Sequence, residues 1–173
     1  MSLPRRASFV TSSRPCRGPA ALVLLLALVA MAPGAAQAAE LTEDSPEHPA
    51  LTLAIPLTEE EGFHLREDYW KGELSTAGGK AIRIQLFRHN DYYFFLGAER
   101  PGLPDKAVLH IRIMDKERRL VAETRGKAGA AGILLKYAPR ATGLHLVMLG
   151  ISPAKGASPS ADKIPAVLFT GYK

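Results

Sequence analysis

The sequence predicts an all-β protein, an antiparallel β-sandwich of eight or nine strands with a jelly-roll-like arrangement. Apolar residues recur at every second position through most of residues 51–172, the spacing of a strand with one buried face. Turn-forming residues punctuate these stretches at intervals of roughly 8–12 residues, as in sandwiches and barrels. Helical signals are sparse by comparison.

Residues 1–38 read as a cleavable export signal. Arg5, Arg6, Arg14 and Arg17 form a basic start with no acidic residue, Ala20–Ala32 is an unbroken apolar run of 13, and Ala36-Gln37-Ala38 follows the breakers Pro33-Gly34. Thirteen residues are too few to cross a hydrocarbon layer about 30 Å thick, so no stable membrane insertion is expected after cleavage. Arg5-Arg6 has the start of a twin-arginine signal, but Phe9 falls one place late for it, which favours ordinary secretion.

Removing the first 38 of 173 residues leaves 135, enough for one domain with its own core. Four of the 22 Lys and Arg and none of the 17 Asp and Glu lie in the signal, leaving 18 against 17. That balance argues against nucleic acid as a partner, since binding it needs a clustered basic surface. The single cysteine, Cys16, leaves with the signal, so packing rather than disulfides must hold the domain.

Residues 39–50 read as a flexible leader, acidic and with two prolines. Leu51, Leu53, Ile55 and Leu57 alternate as a first strand, with Pro56 marking its end or an edge. Thr58 is a good N-cap ahead of Glu59-Glu60-Glu61, so a single helical turn is expected there. Ile82, Ile84 and Leu86 form the next alternating set, and Leu109, Ile111 and Ile113 another, with His110 and Arg112 outward. Ile133, Leu135 and Tyr137 make a weaker strand, Leu144 and Leu146 flank an outward His145, and Val167 and Phe169 belong to a closing strand. On this register Ile84, Ile111 and Leu146 are buried. Tyr92 to Leu96 and Leu146 to Leu149 are apolar on both parities, as in a central strand or one face of a binding surface. Gly78-Gly79, His89-Asn90-Asp91, Pro101-Gly102, Asp115 to Arg118 and Thr142-Gly143 supply turns, and Lys127 to Gly132 and Ala154 to Lys163 loops.

Catalytic chemistry finds little support. The mature chain has no cysteine and no Gly-x-Ser-x-Gly elbow, and its serines (Ser45, Ser75, Ser152, Ser158, Ser160) lie mostly in loop-like stretches. The histidines, His48, His64, His89, His110 and His145, are scattered. His110 and His145 would meet Glu67 or Asp68 around a metal only if their strands were neighbours, and solvated strand histidines are the simpler reading. No catalytic residue, metal ligand or cofactor is expected. The aromatic group Tyr69, Trp70, Phe87 and Tyr92 to Phe95 is the best functional candidate. Trp70, Tyr93 and Phe95 are the proposed ligand-binding face, as aromatic rings on a sheet stack on sugars or apolar groups. The competing reading puts Tyr92, Phe94 and Leu96 in the core, with Tyr93 and Phe95 covered by a loop or by the segment around Trp70.

From Val108 onward, the strand–turn–strand Leu109 to Ala122 and the later Ala141-Thr142-Gly143-Leu144-His145-Leu146-Val147 resemble the bacterial pre-peptidase C-terminal domains. In that family a strand ends in an Asp-x-x-Gly-like turn and Thr-Gly-x-Tyr-x-Leu opens a later one; here Arg118 stands at the glycine and His145 near the tyrosine. The resemblance covers about half of the mature chain and implies an accessory, non-catalytic β-sandwich. Together these features imply a periplasmic or secreted module that binds an envelope or secreted protein or a glycan. The alternative is a small hydrolase or metal-dependent enzyme assembled from scattered His, Asp and Ser residues.

Overall fold

Period-two alternation becomes two antiparallel sheets packed face to face. The structure, a computed structural model, describes residues 42–173; the expected signal and the start of the expected leader lie outside the described residues. One helix, α1 (Glu47–Glu61), precedes nine strands: β1 (His64–Leu65), β2 (Trp70–Leu74), β3 (Lys80–Leu86), β4 (Tyr92–Ala98), β5 (Val108–Met114), β6 (Leu120–Arg125), β7 (Gly132–Tyr137), β8 (Gly143–Ser152) and β9 (Ile164–Tyr172). The first sheet runs β1-β9-β4-β7, with β2 also paired to β9; the second runs β3-β8-β5-β6. The chain is an all-β sandwich, with α1 laid on the outer face of the first sheet.

Two cores follow from the two parities of β4, all of whose residues are buried. Tyr92, Phe94, Leu96 and Ala98 point between the sheets, where they meet Leu109, Ile111 and Ile113 of β5, Val147 and Leu149 of β8, and Leu168 of β9. Tyr93 and Phe95 point the other way and are covered by α1 together with Phe63, Val167 and Phe169. The double-sided apolar run was legible; its cover is a helix rather than a loop or the Trp70 segment.

That helix replaces the expected strand at Leu51–Leu57 and takes in the end of the expected leader, and Thr58 lies inside it rather than capping it. Its sheet-facing side is made of small residues, with Pro49, Ala50 and Ala54 buried, while Leu51, Leu53 and Leu57 pack at its flanks and Ile55 is exposed. The close approach rests on Gly97 of β4 and Gly132 of β7, because a Cβ on either would run into the Pro46 or Pro49 carbonyl oxygen. Period two therefore arose from residues spread around a helix. Gly62, in the left-handed region at φ 64°, ends it.

A negative side chain at a helix C-terminus is unfavourable against the helix dipole, and Glu61 is offset by a cluster. Its carboxylate accepts hydrogen bonds from Lys136 Nζ (2.5 Å), Tyr93 Oη (2.5 Å) and Lys173 Nζ (3.1 Å). The Lys136 bond, then those from Tyr93 and Lys173, hold its pKa down from 4.5 to about 2. A carboxyl whose pKa is depressed on folding stabilises the fold above its unfolded pKa and loses that contribution as pH falls through the folded value. Glu61→Gln should therefore flatten the acid limb of the stability profile between pH 4.5 and about 2. Urea melts across that window would check it; an unchanged slope would place the cluster's contribution elsewhere.

The register of β8 differs from expectation. His145, Val147, Leu149 and Ile151 face the core, whereas Leu146 points outward between Arg83 and Met114 and is only partly buried. Both parities are apolar from Leu146 on, so the polar residue had to set the phase, and here the polar residue is the inward one. His145 tolerates burial because its ring reaches the Gly143 carbonyl through Nδ1 (3.0 Å) and the Tyr137 hydroxyl through Nε2 (3.4 Å). Ile111 is fully buried, and Ile84 on the edge strand β3 is half-buried against the core.

Candidate functional site

The two long sides of the sandwich differ. On one, β6 and β7 lie side by side. On the other, β2 and β3 stand apart and leave a cleft of about 500 Å³. Residues 67–69 interrupt the edge of the first sheet there: β1 and the Arg66 N–H, which donates to the Thr170 carbonyl (2.8 Å), reach only the far end of β9, and β2 only its near end. Leu168 and Thr170 of β9, both buried, form the floor of the cleft there.

The walls are aromatic and cationic. Trp70 starts β2 opposite Leu168 and is half-buried, its indole lying flat over Gly72, where any Cβ would collide with the ring. Tyr69 borders the cleft, but its ring turns to the other face of the first sheet, where it stacks on Phe169 (centroids 4.5 Å apart, planes at 29°) and stays 45 % exposed. Phe87 follows β3 and is 53 % exposed; its main-chain N–H donates to the Tyr92 hydroxyl (2.9 Å), which fixes the strand end while the ring projects into solvent. Arg66 grips Asp68 at two points, Nε to Oδ1 at 2.8 Å and Nη2 to Oδ2 at 2.6 Å. The Arg66 guanidinium holds the Asp68 carboxyl below the usual carboxylate range. Arg83 and Gln85 complete the β3 wall.

This surface can stack and hydrogen-bond. Among the described residues Asp68 is the only carboxylate lining the cleft, and it is kept ionised by Arg66; among them no histidine or serine lines it. A general acid needs the opposite setting, a carboxyl whose pKa burial has raised.

Of the expected face, only Trp70 lies here. Tyr93 and Phe95 are 2 % and 0 % exposed and sit on the opposite face of the first sheet, stacked with Phe63 beneath α1. The three do not share a surface, because Trp70 has the parity of Leu168 and Phe95 that of Phe169. Phe87 and Arg83 replace them in the cleft. The signal for Phe87 was its phase: Leu86 closes the inward set of β3, so the next ring must turn out. Arg66 and Asp68 had no periodic signal, being placed by the break between β1 and β2.

The histidines do not converge. His110 lies on the outer face of the second sheet with its ring over Gly150, and His145 lies on the inner face. Burial, then Arg112 and Arg125, lower the His110 pKa. Among the described residues no three His, Cys, Asp or Glu side chains are grouped to hold a metal. A second hollow of about 570 Å³ lies at one end of the sandwich, between the β5–β6 turn and the β7–β8 connection. In that turn Arg118 takes φ 62°, the conformation glycine adopts most readily.

No family model matches the sequence, and the search of curated proteins finds no match. Among solved structures, the chain is similar to a periplasmic lysozyme inhibitor of g-type lysozyme from Aeromonas hydrophila, at TM-score 0.44 and 12 % identity over 65 % of this chain and 90 % of that one. It is also similar to an arabinose-bound α-L-arabinofuranosidase, at TM-score 0.39 and 14 % identity over 64 % of this chain and 23 % of that one. With both scores under 0.5, neither likeness bears on what this chain binds or does.

Proposed function

We propose that this chain is an exported, non-catalytic binding module of the periplasm or secreted space, and that the Trp70 cleft is its ligand surface. One observation carries the reading: exposed Phe87 and half-buried Trp70 line an open cleft in which the one carboxylate among the described residues is locked to an arginine. Large apolar rings left in water beside a cation are a binding arrangement, because stacking recovers the exposed area while the polar rim sets orientation. The partner is an envelope or secreted protein or a glycan, and the similarity to pre-peptidase C-terminal domains belongs to the same proposal. Export has its own readout: protein purified from the native host should begin near Ala39.

Binding is tested at the exposed Phe87 ring, which can be removed with little effect on folding. Phe87→Ala should cut capture from envelope extract, quantified by mass spectrometry, about tenfold or more, the range for losing an interface aromatic. Leu144→Ala, at a 46 % exposed site lining the other hollow, should leave capture intact. Equal capture by all three proteins would remove the cleft as the ligand surface.

A further inference from the structure

We propose that the cleft takes an extended segment of a protein partner, which adds to β3 as a further strand and presents alternating apolar and acidic side chains. The proposal rests on the cleft being the ligand surface and names what fills it.

Four consecutive β3 residues, Ile82, Arg83, Ile84 and Gln85, line the cleft. Successive strand side chains point to opposite faces, so a cavity on either face alone would touch every second residue. Only a groove running along the strand edge meets all four. β3 is the end strand of its sheet, and among the described residues its main chain pairs only with β8. Its other edge is therefore a row of unpaired N–H and C=O groups, the template that strand addition uses. Seven residues at about 3.3 Å each give an edge roughly 23 Å long, room for a segment of six or seven residues.

The chemistry on either side of that edge sets the side-chain pattern. An added strand would turn one parity inward, onto Trp70, Ile82, Ile84 and Leu168, and the other outward beside Arg83 and Gln85. The inward set must be apolar. On β3 and just after it, Lys80, Arg83 and Arg88 make no ion pair among the described residues, whereas the nearby Asp68 is taken by Arg66. The outward set is therefore acidic. The same charges repel a second copy of β3, so edge-to-edge pairing of two identical chains is disfavoured. A glycan would stack on the rings but would leave the row of backbone groups unpaired.

The experiment selects ten-residue peptides from a phage-displayed library on the whole protein and measures binding by the emission of Trp70, the only tryptophan. Apolar–acidic alternation is expected among the winners. N-methylation of a bound peptide should weaken binding about tenfold at alternate residues, the scale of a lost backbone hydrogen bond, and under about threefold at those between. Arg83→Glu should weaken acidic peptides and be compensated by glutamate-to-lysine changes in the peptide. A flat N-methylation profile, or failure to select any peptide, overturns strand addition. If soluble peptidoglycan fragments shift Trp70 emission and Phe87→Ala abolishes the shift, strand addition falls while the cleft remains the ligand surface. If selected peptides bind the Arg83→Glu and Phe87→Ala variants unchanged, both readings fall.

Discussion

Truncating Phe95 to alanine should destabilise the protein by about 3–5 kcal/mol, the range for a large buried aromatic. Phe95 is fully buried, stacks on Phe63 at 5.6 Å and fills the layer between β4 and α1. Removing its ring opens a cavity under the helix, whose close contacts with the sheet are otherwise made by alanines and prolines. The variant should lose amide protection in α1 first, since that helix is held by packing rather than by an amphipathic face of large residues. Phe87→Ala removes the same side chain at a 53 % exposed site and should cost about 0.5 kcal/mol or less. Equal costs for the two in urea melts would mean that β4 does not bury both its faces.

The second large effect is at the centre of the sandwich. Ile111→Ala should cost about 2–5 kcal/mol, since Ile111 is fully buried in the layer between the sheets. Arg112→Ala, one residue on, should cost well under that, about 1 kcal/mol or less, because its pair with Glu123 (3.1 Å) lies on the outer face and is partly open to solvent. Leu146→Ala should fall nearer to Arg112 than to Ile111, as its side chain points outward beside Arg83. If Leu146→Ala matched Ile111→Ala in denaturant melts, the phase of β8 would be reversed and His145 would face solvent.

The legible parts of this fold were those where one parity is charged. Arg83 and Gln85 fix β3, and Arg112 fixes β5, whose bounds the alternation matched from Val108 to Met114. Where both parities are apolar, phase is lost: in β8 a single buried histidine, satisfied by a carbonyl and a tyrosine hydroxyl, inverted the reading. The helix was hidden for a different reason. Its sheet-facing side is Ala50 and Ala54 rather than large residues, and Pro56 inside it looks like a strand terminator. The pointer to it was the small i, i+4 pair followed by three glutamates and Gly62. Strands β1 and β2 are short, and β2 carries lysine, glycine and glutamate between its two apolar ends, so neither has an alternating signature. The candidate site inherits both problems. Trp70 was identified, but parity on β4 decides that Tyr93 and Phe95 lie elsewhere, and Arg66 and Asp68 depend on where two short strands end.

On the proposed function, the partner sits in the cleft between β2 and β3. Site-specific photo-crosslinking in the native host tests it most directly, with a photoreactive phenylalanine analogue at Phe87 in one strain and at Leu144 in another. Both sites are exposed, at 53 % and 46 %, so both accept the analogue, and they line different hollows. A discrete higher-mass adduct from position 87, with none from position 144, is the predicted result. Adducts from position 144 with none from position 87 would contradict the account and move the binding surface to the other end of the sandwich.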